Sequence, residues 1–185
     1  ADRLAVSGGG LLPVFTVWWS VDDATIRGLA VRDGYADYGG GLVNAGVLTV
    51  TEMIFAGNIA NDDGGAIMNY DTLTVIDSTF DGNRAVTGEG AGGAIFSDES
   101  TLTVRNSVFT ANRALYGGAI SDEEAEVTIT ASAFLTNSAS DGGGAIDTVY
   151  SELWVVNSTF SGNSASGEGG GGIYVYNSEA DVANS

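Results

Sequence analysis

Apolar and polar residues alternate in short bursts along this chain. Leu102-Thr103-Val104 reads in-out-in, and so does Val127-Thr128-Ile129. A period of two predicts strands rather than helices. Gly, Asn, Asp and Ser separate the bursts and supply turns. A longer period overlies the short one. After Ile95 come Leu102, Val104, Phe109 and Asn112; after Ile120, at the same offsets, come Val127, Ile129, Phe134 and Asn137; after Ile146 come Leu153, Val155, Phe160 and Asn163. Leu42 and Ile67 lead the same series with one loop residue fewer: Leu48, Val50, Phe55 and Asn58, then Leu73, Val75, Phe80 and Asn83.

These units begin 25 to 28 residues apart, each opening on a Gly pair such as Gly92-Gly93 before Ala94-Ile95. A fixed period in this range means a solenoid, whose repeats bury their apolar faces against one another. Three short strands and three turns fit the length, which predicts one coil of a parallel β-helix per repeat. Successive coils then lie about 4.8 Å apart. Stacking places Phe55, Phe80, Phe109, Phe134 and Phe160 in one interior column. Leu42, Ile67, Ile95, Ile120, Ile146 and Ile173 form another. Each such side chain contributes roughly 1.5–3 kcal/mol on burial. Asn58, Asn83, Asn112, Asn137 and Asn163 fall where the chain turns, so a hydrogen-bonded turn ladder is expected rather than a ligand site. Ser78, Ser107, Ser132 and Ser158 read as packing. The Gly pairs read as backbone devices, since no helix follows them and no Lys is present to make a phosphate loop.

The register extends to both ends. Val17, Ala24, Ile26, Val31 and Gly34 keep the offsets, as do Ile173, Ala180, Val182 and Asn184. The expectation is a single domain over residues 1–185, about six coils long: atypical first coils over 1–38, regular repeats over 39–185, a fragment of a longer solenoid. An open coil edge would pair with further repeats or other copies.

Charge narrows the partners. The chain has 24 acidic and 6 basic residues, all of the latter Arg, no His and no Cys, for a net charge of −18. Nucleic acid and anionic membrane demand a positive face and are not expected partners. No apolar run reaches the roughly 18 residues of a membrane span. The absence of Cys excludes a disulfide framework and thiolate metal sites. The acids form two loop columns. One follows the Ile (Asp71, Asp98, Glu99, Glu123, Glu124, Glu152, Glu179); the other precedes the Gly pair (Asp62, Asp63, Glu89, Asp141, Glu168). Stacked carboxylates repel, and Ca²⁺ would relieve that repulsion. Asp62, Asp63, Asp98, Glu99, Glu123 and Glu124 are the candidate ligands, although no ordered calcium-loop motif is present. A solvated acidic face is the competing reading. No other cofactor is expected.

Catalysis would need an acid–base pair at one preorganised spot. The acid columns are regular, and adjacent pairs such as Glu123-Glu124 point apart, so no enzyme activity is expected. Trp18, Trp19, Trp154, Tyr174 and Tyr176 are candidate surface-interaction residues, able to stack on sugars or seal an interface. Thr25, Thr49, Thr74, Thr103 and Thr128 form an outward column, and a flat Thr array is one way a β-helix binds ice. Trp154 ends this column, and Thr on an exposed strand is ordinary β preference.

G-G-A-I followed by F-x-x-N, five times in register, resembles the repeats of polymorphic outer membrane proteins. It is also similar to bacterial surface β-helix proteins of the pectin-lyase-like superfamily, over about Gly39 to Ser185. The resemblance implies a right-handed parallel β-helix on a secreted or cell-surface passenger, often an adhesin. No autotransporter barrel is in this sequence, and no enzyme motif of the superfamily is matched. The expected function is therefore structural or adhesive: a rigid spacer, or a block of a fibre, filament or surface layer. Its expected partners are other copies or further repeats, glycans, or cell-surface proteins. A carbohydrate-binding or polysaccharide-degrading module is the alternative, and ice binding the third reading.

Overall fold

A computed structural model describes residues 3–185; residues 1 and 2 of the expected atypical N-terminal region lie outside the described residues. The chain winds repeatedly through four parallel sheets. One coil shows the plan. Ile120–Glu123 lies in sheet I, Glu126–Thr130 in sheet II, Ala133–Leu135 in sheet III and Ser138–Ala139 in sheet IV. A loop then returns to sheet I at Ile146–Val149. Sheets I to III hold seven strands each and sheet IV six. Among the described residues no helix is long and apolar enough to cross a membrane.

The spacing predicts three strands per coil and about six coils; the chain forms four strands per coil and seven coils. The fourth strand exists because residues just past the Asn turn, such as Arg84-Ala85 against Ile59-Ala60, pair briefly before the loop departs. The seventh coil is N-terminal, where Leu4–Ser7 pairs with Leu29–Arg32 and Phe15–Val17 with Leu42–Asn44. Its register corrects one expectation. Phe15, not Val17, stacks on Leu42, while Val17 stacks on Asn44. The corner after it carries extra residues around Trp18-Trp19, so offsets counted back from Ala24 fall two residues short of Phe15. From Ala24 onward the expected register holds: Ala24, Ile26 and Val31 pair with Leu48, Val50 and Phe55.

The interior is a set of columns. Phe55, Phe80, Phe109, Phe134 and Phe160 stack with centroids 4.6–4.9 Å apart and planes within 7°. Isolated aromatic pairs favour offset or edge-on contacts; here the coil rise imposes the face-to-face spacing. At the turn between sheets III and IV, the Asn column uses its hydrogen-bonding groups inward. Asn112 Nδ2 donates to Asn137 Oδ1 (3.0 Å) and to the Phe80 carbonyl (3.1 Å), and its own Oδ1 accepts from the backbone N and Nδ2 of Asn83. Ser78, Ser107 and Ser132 form a parallel ladder, each hydroxyl accepting a backbone N–H from the preceding coil.

The corners rest on single left-handed residues. Asp77, Asn106, Ala131 and Asn157 turn the chain from sheet II to sheet III, with φ of 48–52°. In the Gly pair, Gly92 has φ of 63°, and a Cβ there would strike the Ile95 carbonyl. A Cβ on Gly93 would strike the Gly118 carbonyl of the next coil. The first glycine supplies a conformation, the second a close approach.

Candidate functional site

The outer face of sheet I varies from coil to coil and lies beside the returning loops. In successive coils its first outward row reads Met68, Phe96, Ser121, Asp147, Tyr174. The second reads Asp98, Glu123, Val149, Tyr176. The loops returning from sheet IV stand beside these rows and add Asp63, Glu89, Tyr116, Asp141 and Glu168. Together they enclose a groove of about 610 Å³, and no Arg lines it. At its near end Met68, Phe96 and Ala91 pack into a small apolar cluster outside the main core.

Asp147 forms the floor. It is only 3% exposed, and its Oδ1 accepts the Gly143 N–H at 3.1 Å. Burial pushes its carboxyl up to about 6, against the lowering effect of that hydrogen bond, with the charge of Asp141 adding. The local sequence makes room for it. Gly142 sits at φ of 64°, and a Cβ there would strike Asp147 Oδ1. The third glycine of Gly142-Gly143-Gly144 thus accompanies the carboxylate.

Asp122 lies on the inner side of the same sheet, fully buried, in register with Ser97 and Thr148. The same column holds Asn44 and Asn69 in earlier coils. Thr148 Oγ1 bonds its Oδ1, while its Oδ2 has no partner. Burial pushes this carboxyl up to about 7; the hydrogen bond from Thr148 and the nearby Ser151 hydroxyl oppose the shift, and Asp147 adds to it. Asp63 is also raised, by burial first; the Ala91 N–H at 2.8 Å opposes, and Asp62, Asp98 and Glu123 add. Asp98 is raised by burial and by Glu99. The groove is one shared negative field.

The two acid columns of the sequence map onto two places. The column before the Gly pair forms the rim of the sheet I groove. The column after the Ile divides: Glu123 lines the sheet I groove, while Asp71, Glu99, Glu124, Glu152 and Glu179 line, with Glu126, a second groove of about 640 Å³ at the corner between sheets I and II. The candidate calcium ligands are divided accordingly. Asp62 and Asp63 stand on a returning loop, Asp98 and Glu123 are neighbours on sheet I, and Glu99 and Glu124 turn the corner at φ of 44° and 49°. Among the described residues no three His, Cys, Asp or Glu side chains come together as a metal-binding group.

The aromatic candidates are dispersed too. Tyr174 and Tyr176 line the groove. Trp154 lies on the outer face of sheet II, between Thr128 and Asp181. Trp18 and Trp19 are 63% and 79% exposed on the N-terminal corner loop. Thr25, Thr49, Thr74, Thr103 and Thr128 do align on sheet II, and the column ends at Trp154. Sequence reasoning missed Asp122, Asp147 and Tyr116. The available signal for the first two was an acid directly within the strand after Ile120 or Ile146, where other coils carry Met, Phe, Ser or Asn.

A seven-coil parallel solenoid with inward Phe and Asn ladders and one differentiated face defines a class of protein. Residues 16–185 match the right-handed β-helix region family, and the chain belongs to it. That family contains both pectin-lyase-like enzymes and proteins without activity, so membership leaves the chemistry open. Comparison with curated proteins and with solved structures gave no match.

Proposed function

We propose that this chain is a rigid, structural and adhesive β-helix of the cell exterior, secreted or surface-bound, that presents the sheet I groove as its binding face. One contrast carries the reading. The interior Ile, Phe and Asn columns repeat from coil to coil, whereas the outer rows of sheet I vary and bring the nearly buried Asp147 beside Tyr174 under the returning loops. The resemblance of its repeats to those of polymorphic outer membrane proteins supports a surface location. Glycans and cell-surface proteins are the partner classes. Other copies or further repeats, stacked coil on coil in a fibre, are the remaining partner class.

A second reading has one observation in its favour. Glu123 is a diagonal neighbour of Asp147 across adjacent parallel strands, a placement that sets their Cα atoms about 8 Å apart from the rise per residue and the strand spacing. Inverting glycosidases hold their two carboxyl groups about 6.5–9.5 Å apart. Binding to a glycan array and to intact cells, run beside a polysaccharide depolymerisation assay, separates the two. The adhesive reading expects binding without turnover, weakened by Asp147→Asn and Glu123→Gln and unchanged by Trp154→Ala. Turnover that disappears in either groove variant would replace it with the hydrolase reading.

A further inference from the structure

We propose that the sheet I groove binds an alkylammonium ligand, either a free linear polyamine or the Lys side chains of a basic peptide. The inference rests on this groove being the binding face. Its lining carries Asp63, Glu123, Asp141, Asp147 and Glu168 with no Arg among them. An acidic face alone would be solvated surface. Asp147 is different: it is 3% exposed, Gly143 takes one carboxylate oxygen, and among the described residues no donor reaches the other. Its place in the row between Ser121 and Tyr174 turns that side chain toward the groove. That second oxygen opens on the groove, where an N–H from a bound cation makes a charge-assisted hydrogen bond to it.

The remaining lining selects among cations. Phe96, Tyr116, Tyr174 and Tyr176 stand beside the carboxylates. Aromatic faces attract ammonium groups, and methylene stems cover aromatic edges while the charged head stays with the acids. A divalent metal would want several carboxylates converging, and no such group of three is present among the described residues. Uronates and phosphates meet repulsion from every acid in the groove, and a neutral sugar leaves the charge unused. The groove runs across four strands of sheet I, from Phe96 to Tyr174. Three coil steps of about 4.8 Å give roughly 14 Å of length. That suits ammonium groups separated by three or four methylenes.

Calorimetric titration tests this with spermidine and trilysine as the two sources and a neutral oligosaccharide as control. The expected result is saturable one-to-one binding of at least one amine, weakened at least tenfold by Asp147→Asn and by Tyr174→Ala. Glu152→Gln, in the other acidic groove, should leave it unchanged. The affinity should fall with added salt and be higher at pH 8 than at pH 5, where Asp147 is protonated. Melting curves of each variant confirm that it is folded. Amine uptake that does not saturate, or that Glu152→Gln weakens equally, is diffuse attraction to an acidic protein and overturns the proposal. Saturable oligosaccharide binding lost in Asp147→Asn, with no amine binding, overturns it while leaving the binding-face reading intact. If no probe of either kind binds at Asp147, both readings fail.

Discussion

Asp122 shows how a single residue departs from a column without breaking it. Asn44 and Asn69 fill its position in earlier coils, where a neutral amide can both donate and accept. An aspartate there has only acceptors when ionised, and one oxygen is left without a partner. Its folded carboxyl titrates at about 7 against an ordinary 3.8. Between those values the folded chain holds a proton that the unfolded chain has released, so stability falls as pH rises from about 4 to 7. Asp147, at about 6, acts in the same direction. The melting temperature should therefore be higher at pH 5 than at pH 8. Asp122→Asn should raise it at pH 8 and leave the smaller slope due to Asp147 and to the raised carboxyls of Asp63 and Asp98. Ala131 carries a different strain: it is exposed, at φ of 49°. Ala131→Gly relieves a left-handed conformation costing about 1–2 kcal/mol, offset by the extra freedom of the unfolded glycine at about 0.4–1 kcal/mol. Chemical denaturation should show a gain of up to about 1.6 kcal/mol; a loss would mean that the corner tolerates alanine without strain. Neither residue was legible in the sequence as special. Repeats advertise what is shared, and these positions matter through burial and backbone angle, which spacing does not report.

At the level of the strand and its ladder, the sequence was far more informative. Ile, Phe and Asn recur at constant offsets because each must meet its copy one coil away, so the offsets encode the register directly. The register slipped only at Val17, where a longer corner intervenes and an apolar residue of the right kind lies two positions from the true partner, Phe15. The two-residue strands of sheet IV were not legible, since their pairs mix Ile59 with Arg84 and Arg113 with Ser138 and show no alternation. The ladders also localise energy. Asn112→Ala would leave both the backbone N and the Nδ2 of Asn83 without their acceptor in a buried turn. Two orphaned donors cost roughly 2–6 kcal/mol. Urea unfolding of Asn112→Ala should show a loss in that range, whereas Asn177→Ala, on an exposed corner, should cost much less. Equal effects at the two sites would contradict the ladder as a principal support of the coil.

For the molecule as a whole, the stabilising ladders and the proposed binding face occupy different parts of the coil. The columns are nearest-neighbour structure, summed coil by coil, and the family match over residues 16–185 spans them. The acidic residues of the chain lie mostly outside them. The sequence showed two acid columns but not that the returning loops raise one of them over sheet I beside Tyr116, Tyr174 and Asp147; that depends on which strand face each loop covers. The Thr column of sheet II and the acidic corner groove remain regular, and regularity is what a spacer needs. The most direct test is amide chemical-shift mapping of the isotopically labelled protein, titrated in turn with spermidine, a neutral oligosaccharide and Ca²⁺. The account predicts saturable shifts for at least one organic probe, clustered at Ser121–Glu123, Gly142–Gly143 and Tyr174–Tyr176. Saturable shifts confined to Thr25–Thr128 of sheet II, or to the Glu99–Glu179 corner, would place the binding face elsewhere and contradict it.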